Sequence, residues 1–135
     1  MRTPEKGNPY WISRHCFMMS VHFCLQYPEW QREREELLLN AQASAIRYTD
    51  MPKGGVFDPD PTMEAGSRLA ELSEKISIVE ETAREASQEL AEWLIKGVTE
   101  NLSYDTLKSA YGLPCGYRMY RKIRQRFYFL LSKKI

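Results

Sequence analysis

The sequence has few cysteines and no long apolar run, and both absences exclude whole classes of protein. Its three cysteines form no CxxC pair, and an odd number argues against a framework of disulfides. The default compartment for such a chain is a reducing cytoplasm. The longest apolar stretch near the start, residues 16–21, is bounded by His15 and His22, whereas a membrane span needs about 20 apolar residues. We therefore expect a cytoplasmic protein with no membrane span and no secretory signal.

The familiar short motifs of enzymes are also missing. There is no GxSxG, HExxH or EF-hand pattern, and Gly54-Gly55 lacks the lysine of a phosphate-binding loop. With 43% hydrophobic and 27% charged residues, the composition is that of a globular protein and excludes wholesale disorder and collagen. We expect one domain, or one domain with an appended arm, that is not an enzyme and has no cofactor.

Acidic residues are absent from the last twenty positions, although the whole chain is almost neutral at +1. Residues 116–135 contain seven basic side chains, while residues 63–98 contain eight acidic and four basic ones. Excess positive charge at one end predicts a polyanionic partner, with nucleic acid the first choice. A solvated basic tail is the alternative that charge alone leaves open.

The first half of the chain divides into a helical arm and a linker. Residues 1–49 predict an N-terminal arm of two helices, the first from Pro9 to about Gln26 and the second from Pro28 to about Arg47. Residues 50–62 hold three prolines and two glycines, a density of helix breakers that predicts a Pro/Gly-rich linker.

A heptad pattern follows the linker and predicts one long helix over residues 63–98. Apolar residues recur at alternating steps of three and four: Leu69, Leu72, Ile76, Val79, Ala83, Ala86, Leu90 and Trp93. Such a helix would be about 50 Å long at 1.5 Å per residue. Its apolar face could pack against the N-terminal helices or against a second copy, which leaves open a homodimer through residues 69–93.

Residues 99–135 predict a basic, helix-turn-helix-like end. Ser103 is a favourable N-cap for a short helix, which Gly112-Leu113-Pro114 would stop. A longer helix is expected from Tyr117 to about Lys133, and two helices joined by a short glycine-containing turn are typical of DNA-binding units. The predicted fold class is thus all-α, with a long heptad-patterned central helix between N-terminal helices and a C-terminal helix-turn-helix.

The last helix is amphipathic when its residues are placed 100° apart. One arc is apolar and contains Tyr120, Ile123, Phe127, Leu130 and Leu131. The opposite arc and its borders contain the residues that we expect to contact double-stranded DNA: Arg118, Arg121, Lys122, Arg124, Gln125 and Arg126. Tyr117 and Tyr128 could hydrogen-bond phosphate or cover the core.

Several of these segments together resemble a known family. They are Asp58-Pro59-Asp60-Pro61-Thr62 before the heptad helix, Val98-Thr99-Glu100 with Tyr104 and Leu107, Leu113-Pro114-Cys115-Gly116, the aromatic and arginine-rich last helix, and Tyr10-Trp11. The chain resembles the RinA/ArpU-type late transcription regulators of phages and prophages of Firmicutes, whose C-terminal end is similar to sigma factor region 4. The resemblance implies a DNA-binding regulator in the cytoplasm of a bacterial host, acting at phage promoters with RNA polymerase as a further partner.

A protein-interaction module is the alternative function. In it, the acidic and basic helices would dock on a host protein, such as RNA polymerase or a defence nuclease of the CRISPR effector kind, as a phage-encoded inhibitor would.

Two further candidates, a zinc site in the first helix and a catalytic cysteine at Cys115, are not favoured by the spacing of their residues. His15 and His22 lie seven residues apart on one predicted helix, too far apart to share a zinc ion with Cys16 and Cys24. Cys115 lies at a helix N-terminus, where the pKa of a thiol can fall, but a base is missing nearby. We expect no metal site and no catalytic residue.

Overall fold

The fold is that of a computed structural model, which describes residues 6–50 and 61–135. Every regular element in these two ranges is a helix, so the predicted all-α class is confirmed. The helices are α1 (Arg14–Leu25), α2 (Tyr27–Asp50), α3 (Pro61–Ala86), α4 (Ala91–Thr99), α5 (Tyr104–Tyr111) and α6 (Tyr117–Ser132). None of the helices described is both long and apolar enough to cross a bilayer. Most of the predicted linker, residues 51–60, lies outside the described residues.

The predicted helix start at Pro9 is wrong, because residues 8–11 form a turn. The backbone amide of Trp11 donates to the carbonyl of Asn8 at 3.0 Å, and the Oδ1 atom of Asn8 accepts from the amide of Tyr10 at 2.9 Å. Asparagine favours such turns because its side chain can bond the backbone two residues on. Proline fixes φ near the value that both a helical first turn and the second position of a β-turn require, so Pro9 alone could not distinguish them.

Helix α1 begins at Arg14 instead, after a serine cap. The Ser13 hydroxyl accepts a hydrogen bond from the amide of Cys16 at 3.3 Å, which satisfies one of the free donors of the first turn. Gln26 alone separates α1 from α2, and α2 begins at Tyr27, close to the predicted start at Pro28.

The predicted single helix over residues 63–98 is interrupted, which corrects that expectation. Helix α3 ends at Ala86 and α4 begins at Ala91. Between them the Ser87 hydroxyl accepts from the amide of Leu90 at 3.2 Å, a local side-chain bond that competes with the helical ladder. The apolar spacing continues across the break, because Leu90 is still buried, and the spacing therefore gave no sign of it.

The heptad face of α3 is buried within the chain. Leu72, Val79 and Ala83 have no exposed surface, and α3 packs against both α2 and α6. The N-terminal helices and the C-terminal helix therefore provide the partners of the heptad. A homodimer through residues 69–93 would need the same buried face, so that expectation is not retained.

Polar contacts fix the antiparallel pairing of α2 and α3. The Tyr27 hydroxyl donates to the Glu80 carboxylate at 2.7 Å, near the start of α2 and the end of α3. At the other end Arg68 binds both oxygens of Glu33, at 2.8 and 3.0 Å. The exposed Arg68–Glu33 ion pair adds at most about 1 kcal/mol, so apolar burial holds the helices together and the two polar contacts set their register.

Gly97 of α4 lies against the side chains of Tyr120 and Leu107, and a substitution there tests the packing. A Cβ atom at Gly97 would clash with the hydroxyl of Tyr120, whose ring is 1% exposed. We expect Gly97→Ala to lower the free energy of unfolding by about 1–3 kcal/mol, the usual range for overpacking. Gly66→Ala is the matched control, because a Cβ at Gly66 of α3 meets nothing. It should raise stability by up to about 1 kcal/mol, as alanine favours helix. Urea unfolding that ranked the two variants the other way would contradict this packing.

Two buried acidic groups predict a loss of stability at alkaline pH. Burial raises the pKa of the Cys24 thiol above its ordinary 9.0 and that of the Tyr128 hydroxyl above its ordinary 10.0. Above about pH 9 the unfolded chain loses these protons while the folded chain keeps them, so the free energy of unfolding falls as pH rises. Below that pH the contribution is complete. Between pH 8 and 10 the Tm of thermal unfolding should fall less steeply with pH for Cys24→Ala than for the native chain. Equal slopes would exclude Cys24 as a cause of the alkaline loss of stability.

Candidate nucleic-acid interface

Helix α6 has a buried C-terminal half and an exposed N-terminal half. Phe127, Tyr128 and Leu131 are buried against α1 and α3, and the ring of Tyr128 meets Phe17 edge-on at 5.2 Å. In the N-terminal half only Tyr120 is fully buried. The first two turns of α6 therefore leave most of their circumference to solvent.

A compact turn joins α5 to α6. Gly112 ends α5 with φ of 67°, a left-handed conformation that glycine adopts without strain, and the amide of Leu113 donates to the carbonyl of Leu107 at 3.1 Å. The Tyr104 hydroxyl donates to the carbonyl of Cys115 at 3.2 Å and closes the turn from the other side. Five residues, 112–116, lie between the helices, slightly more than the three or four typical of a helix-turn-helix.

The predicted short helix is capped as expected. Helix α5 starts after Ser103, whose hydroxyl accepts from the amide of Thr106 at 3.3 Å. Tyr104 packs on α6, with ring centroids 5.5 Å from Tyr117 and 6.1 Å from Tyr120. Helix α5 thus supports the N-terminal half of α6, as the first helix of such a unit supports the second.

The six residues expected to contact DNA come together along the exposed part of α6. Arg118, Arg121, Lys122 and Arg126 are exposed, while Arg124 and Gln125 are half-buried at the edges. The guanidinium of Arg124 lies over the ring of Tyr120, 5.6 Å from its centroid, and makes a cation–π contact with this core residue. The grouping of these side chains was predicted, and their binding to DNA remains a prediction.

The exposed cations of α6 lack acidic neighbours within the part of the chain that the structure describes. None of them forms an ion pair there, although cations elsewhere do: Arg68 with Glu33, Lys96 with Glu100 and Lys134 with Glu85. The carboxylates of α3 pair mainly with cations of α3 itself, as Glu71 does with Lys75 and Glu80 with Arg84. Positive charge on α6 is thus left available to a ligand.

The turn at residues 8–11 lies against α6, which the sequence did not indicate. The Nδ2 atom of Asn8 donates to the Oε1 atom of Gln125 at 2.9 Å, across 117 residues of sequence, and the ring of Tyr10 lies 5.8 Å from that of Phe129. Between the turn and the helix is an open depression of about 590 Å³. Its lining comprises Gly7, Asn8, Tyr117, Arg118, Arg121, Lys122 and Gln125. An Asn-Pro dipeptide was the only signal of the turn, and nothing local marked its docking place.

The structure separates the two tyrosines for which the sequence left alternatives. Tyr117 is 53% exposed and lines the depression, whereas Tyr128 is buried and its hydroxyl has no hydrogen-bond partner among the described residues. Burial raises the pKa of Tyr128, as expected for a core group. Only Tyr117 is placed to contact a ligand of the basic face.

The three cysteines and two histidines were the other candidates for reactive groups. Burial raises the pKa of the Cys115 thiol, and this effect outweighs the nearby Lys108 ammonium and the Tyr120 backbone amide, which lower it. His15 and His22 are exposed on α1 while Cys24 is buried, and residues 6–50 and 61–135 contain no cluster of three metal-ligating side chains.

Comparison of the chain with protein-family models, with curated proteins and with solved structures found no match.

Proposed function

We propose that this protein binds double-stranded DNA through the exposed N-terminal half of α6. The observation that carries the proposal is the row of cations on that surface with no carboxylate partner among the described residues. DNA presents a dense row of phosphates, and the release of their counterions by lysine and arginine supplies much of the affinity of DNA-binding proteins.

The geometry of α6 suits an approach to the edge of a groove, where the backbone phosphates lie. Arg118, Arg121, Lys122 and Gln125 are spaced at i, i+3, i+4 and i+7, which places them on one face of the helix. They span about 10.5 Å along the helix axis at 1.5 Å per residue. The C-terminal half of α6 is held by α1 and α3, so this end can approach DNA without disturbing the core.

The charge distribution of the molecule supports a defined orientation on DNA. Helix α6 has five basic residues and no acidic ones, while α3 has six acidic and three basic residues. A polyanion would attract the first surface and repel the second, which steers the encounter. We further propose a role in transcription regulation of the phage or prophage type, which rests on the resemblance stated for the sequence.

Removal of two cations should weaken binding to DNA without unfolding the protein. We expect Arg118→Ala with Lys122→Ala to lower the affinity for a random duplex and to make the plot of log K against log salt less steep by about 1.8, since each phosphate contact contributes about 0.9. Arg14→Ala with Arg32→Ala is the matched control, because it removes two exposed cations from α1 and α2. Fluorescence anisotropy at several salt concentrations measures both variants, and equal slopes for the two would refute contact through α6.

A second function, docking on a host protein, is favoured by the outward face of α1. Trp11, Met18, Met19 and Leu25 are each 37–48% exposed there, and flexible methionines are common in protein-binding surfaces. This function would be favoured over the first if the native chain bound purified RNA polymerase and the double variant Met18→Lys with Met19→Lys did not. The native chain should in that case also fail to shift duplex DNA in a gel at low salt.

A further inference from the structure

The depression between the N-terminal turn and α6 is partly apolar, and its polar side chains are mainly hydrogen-bond donors. The guanidinium groups of Arg118 and Arg121 and the ammonium of Lys122 can only donate. A ligand that fills the depression must therefore offer acceptors and negative charge.

Its two amide side chains are oriented so that they also present donors. The Oδ1 atom of Asn8 already accepts from the backbone amide of Tyr10, so its NH₂ group faces Gln125. That NH₂ group donates to the Oε1 atom of Gln125, which leaves the NH₂ group of Gln125 available. The fixed turn at residues 8–11 thus determines which end of the Gln125 amide can serve a ligand.

We propose that this depression is a phosphate seat whose second wall is formed by Gly7 and Asn8, at the start of the N-terminal turn. A phosphate group has only acceptor oxygens in its ionised form and matches a lining of three cations, two amides and the Tyr117 hydroxyl. A base edge presents a mixture of donors and acceptors and matches such a lining less well. The inference rests on the proposed function for the source of the phosphate, which is then the backbone of double-stranded DNA.

It follows that these residues dock the backbone and do not read sequence. Contacts to phosphate fix position and orientation, while specificity comes from base edges or from DNA shape. Asn8 is in this view a positioning residue, since it holds the turn and orients Gln125.

Asn8→Asp separates a phosphate seat from a purely structural turn. Aspartate forms the same turn through its side-chain oxygen, so the fold should be retained. Its carboxylate would stand beside Arg118 and Arg121 and repel phosphate. Titration of the protein with inorganic phosphate, against chloride at equal ionic strength and followed by thermal shift, should show an affinity at least ten-fold weaker in Asn8→Asp and in Arg121→Gln than in the native chain.

Arg126→Gln is the matched control, because Arg126 is an exposed arginine of the same helix that does not line the depression. It should bind inorganic phosphate as the native chain does. Equal phosphate affinities in all four proteins, or no binding in any, would overturn the phosphate seat.

Double-stranded DNA provides the second arm of the experiment. Asn8→Asp and Arg121→Gln should lower the affinity for two duplexes of unrelated sequence by the same factor, at least five-fold, because phosphates are common to both. A loss of affinity confined to one duplex sequence would overturn the phosphate seat and leave the proposed function intact. The same conclusion would follow if Asn8→Asp did not lower the affinity for DNA while Arg118→Ala with Lys122→Ala did. Retained phosphate binding with no binding of any duplex would instead refute the proposed function and assign the seat to a free phosphate compound.

Discussion

The packing of α6 on α3 is the constraint on which the other features of this molecule depend. Together with α2 it buries the heptad face of α3, and it fixes the C-terminal half of α6 between α3 and α1 through Phe127, Tyr128 and Leu131. Each fully buried side chain of this size contributes about 1.5–3 kcal/mol by its removal from water. Because this anchorage is confined to one half of the helix, the other half can project basic side chains without loss of the core.

The turn at residues 8–11 and the last helix meet on one surface. The turn at residues 8–11 reaches α6 at Gln125 and Phe129, so the exposed half of the helix has a wall on one side that its own sequence does not provide. On the other side, Tyr104 of α5 packs on Tyr117, and its hydroxyl donates a hydrogen bond to the turn at residues 112–116. The basic face therefore lies between two separately anchored segments, and its geometry depends on the whole fold and not on α6 alone.

Periodicity and capping predicted what local interactions determine. The heptad residues from Leu72 to Leu90 are buried, Ser103 caps α5, and the two arcs of α6 lie where spacing placed them. The break after Ala86 was missed because Ser87 bonds the Leu90 amide while the apolar spacing continues in phase. The predicted helix start at Pro9 was wrong because the φ angle that the proline ring fixes is compatible with both a turn and a helix start. Neither the partner of the heptad nor the contact of Asn8 with Gln125 has a local signal, since both join segments far apart in sequence.

The density of like charge on α6 is unfavourable for the isolated helix. Arg118 and Lys122, and Lys122 and Arg126, stand four residues apart, a spacing at which like charges destabilise a helix by about 0.2–0.5 kcal/mol per pair. Helices α3 and α4 avoid this cost with ion pairs such as Glu71–Lys75 and Lys96–Glu100, whereas no such pair is present in α6. Burial of its apolar arc offsets the repulsion in the folded chain. An anionic ligand would reduce this repulsion between the cations. Relief of the repulsion would then contribute to the free energy of binding. This is the physical reason for proposing that an anionic ligand binds at this face.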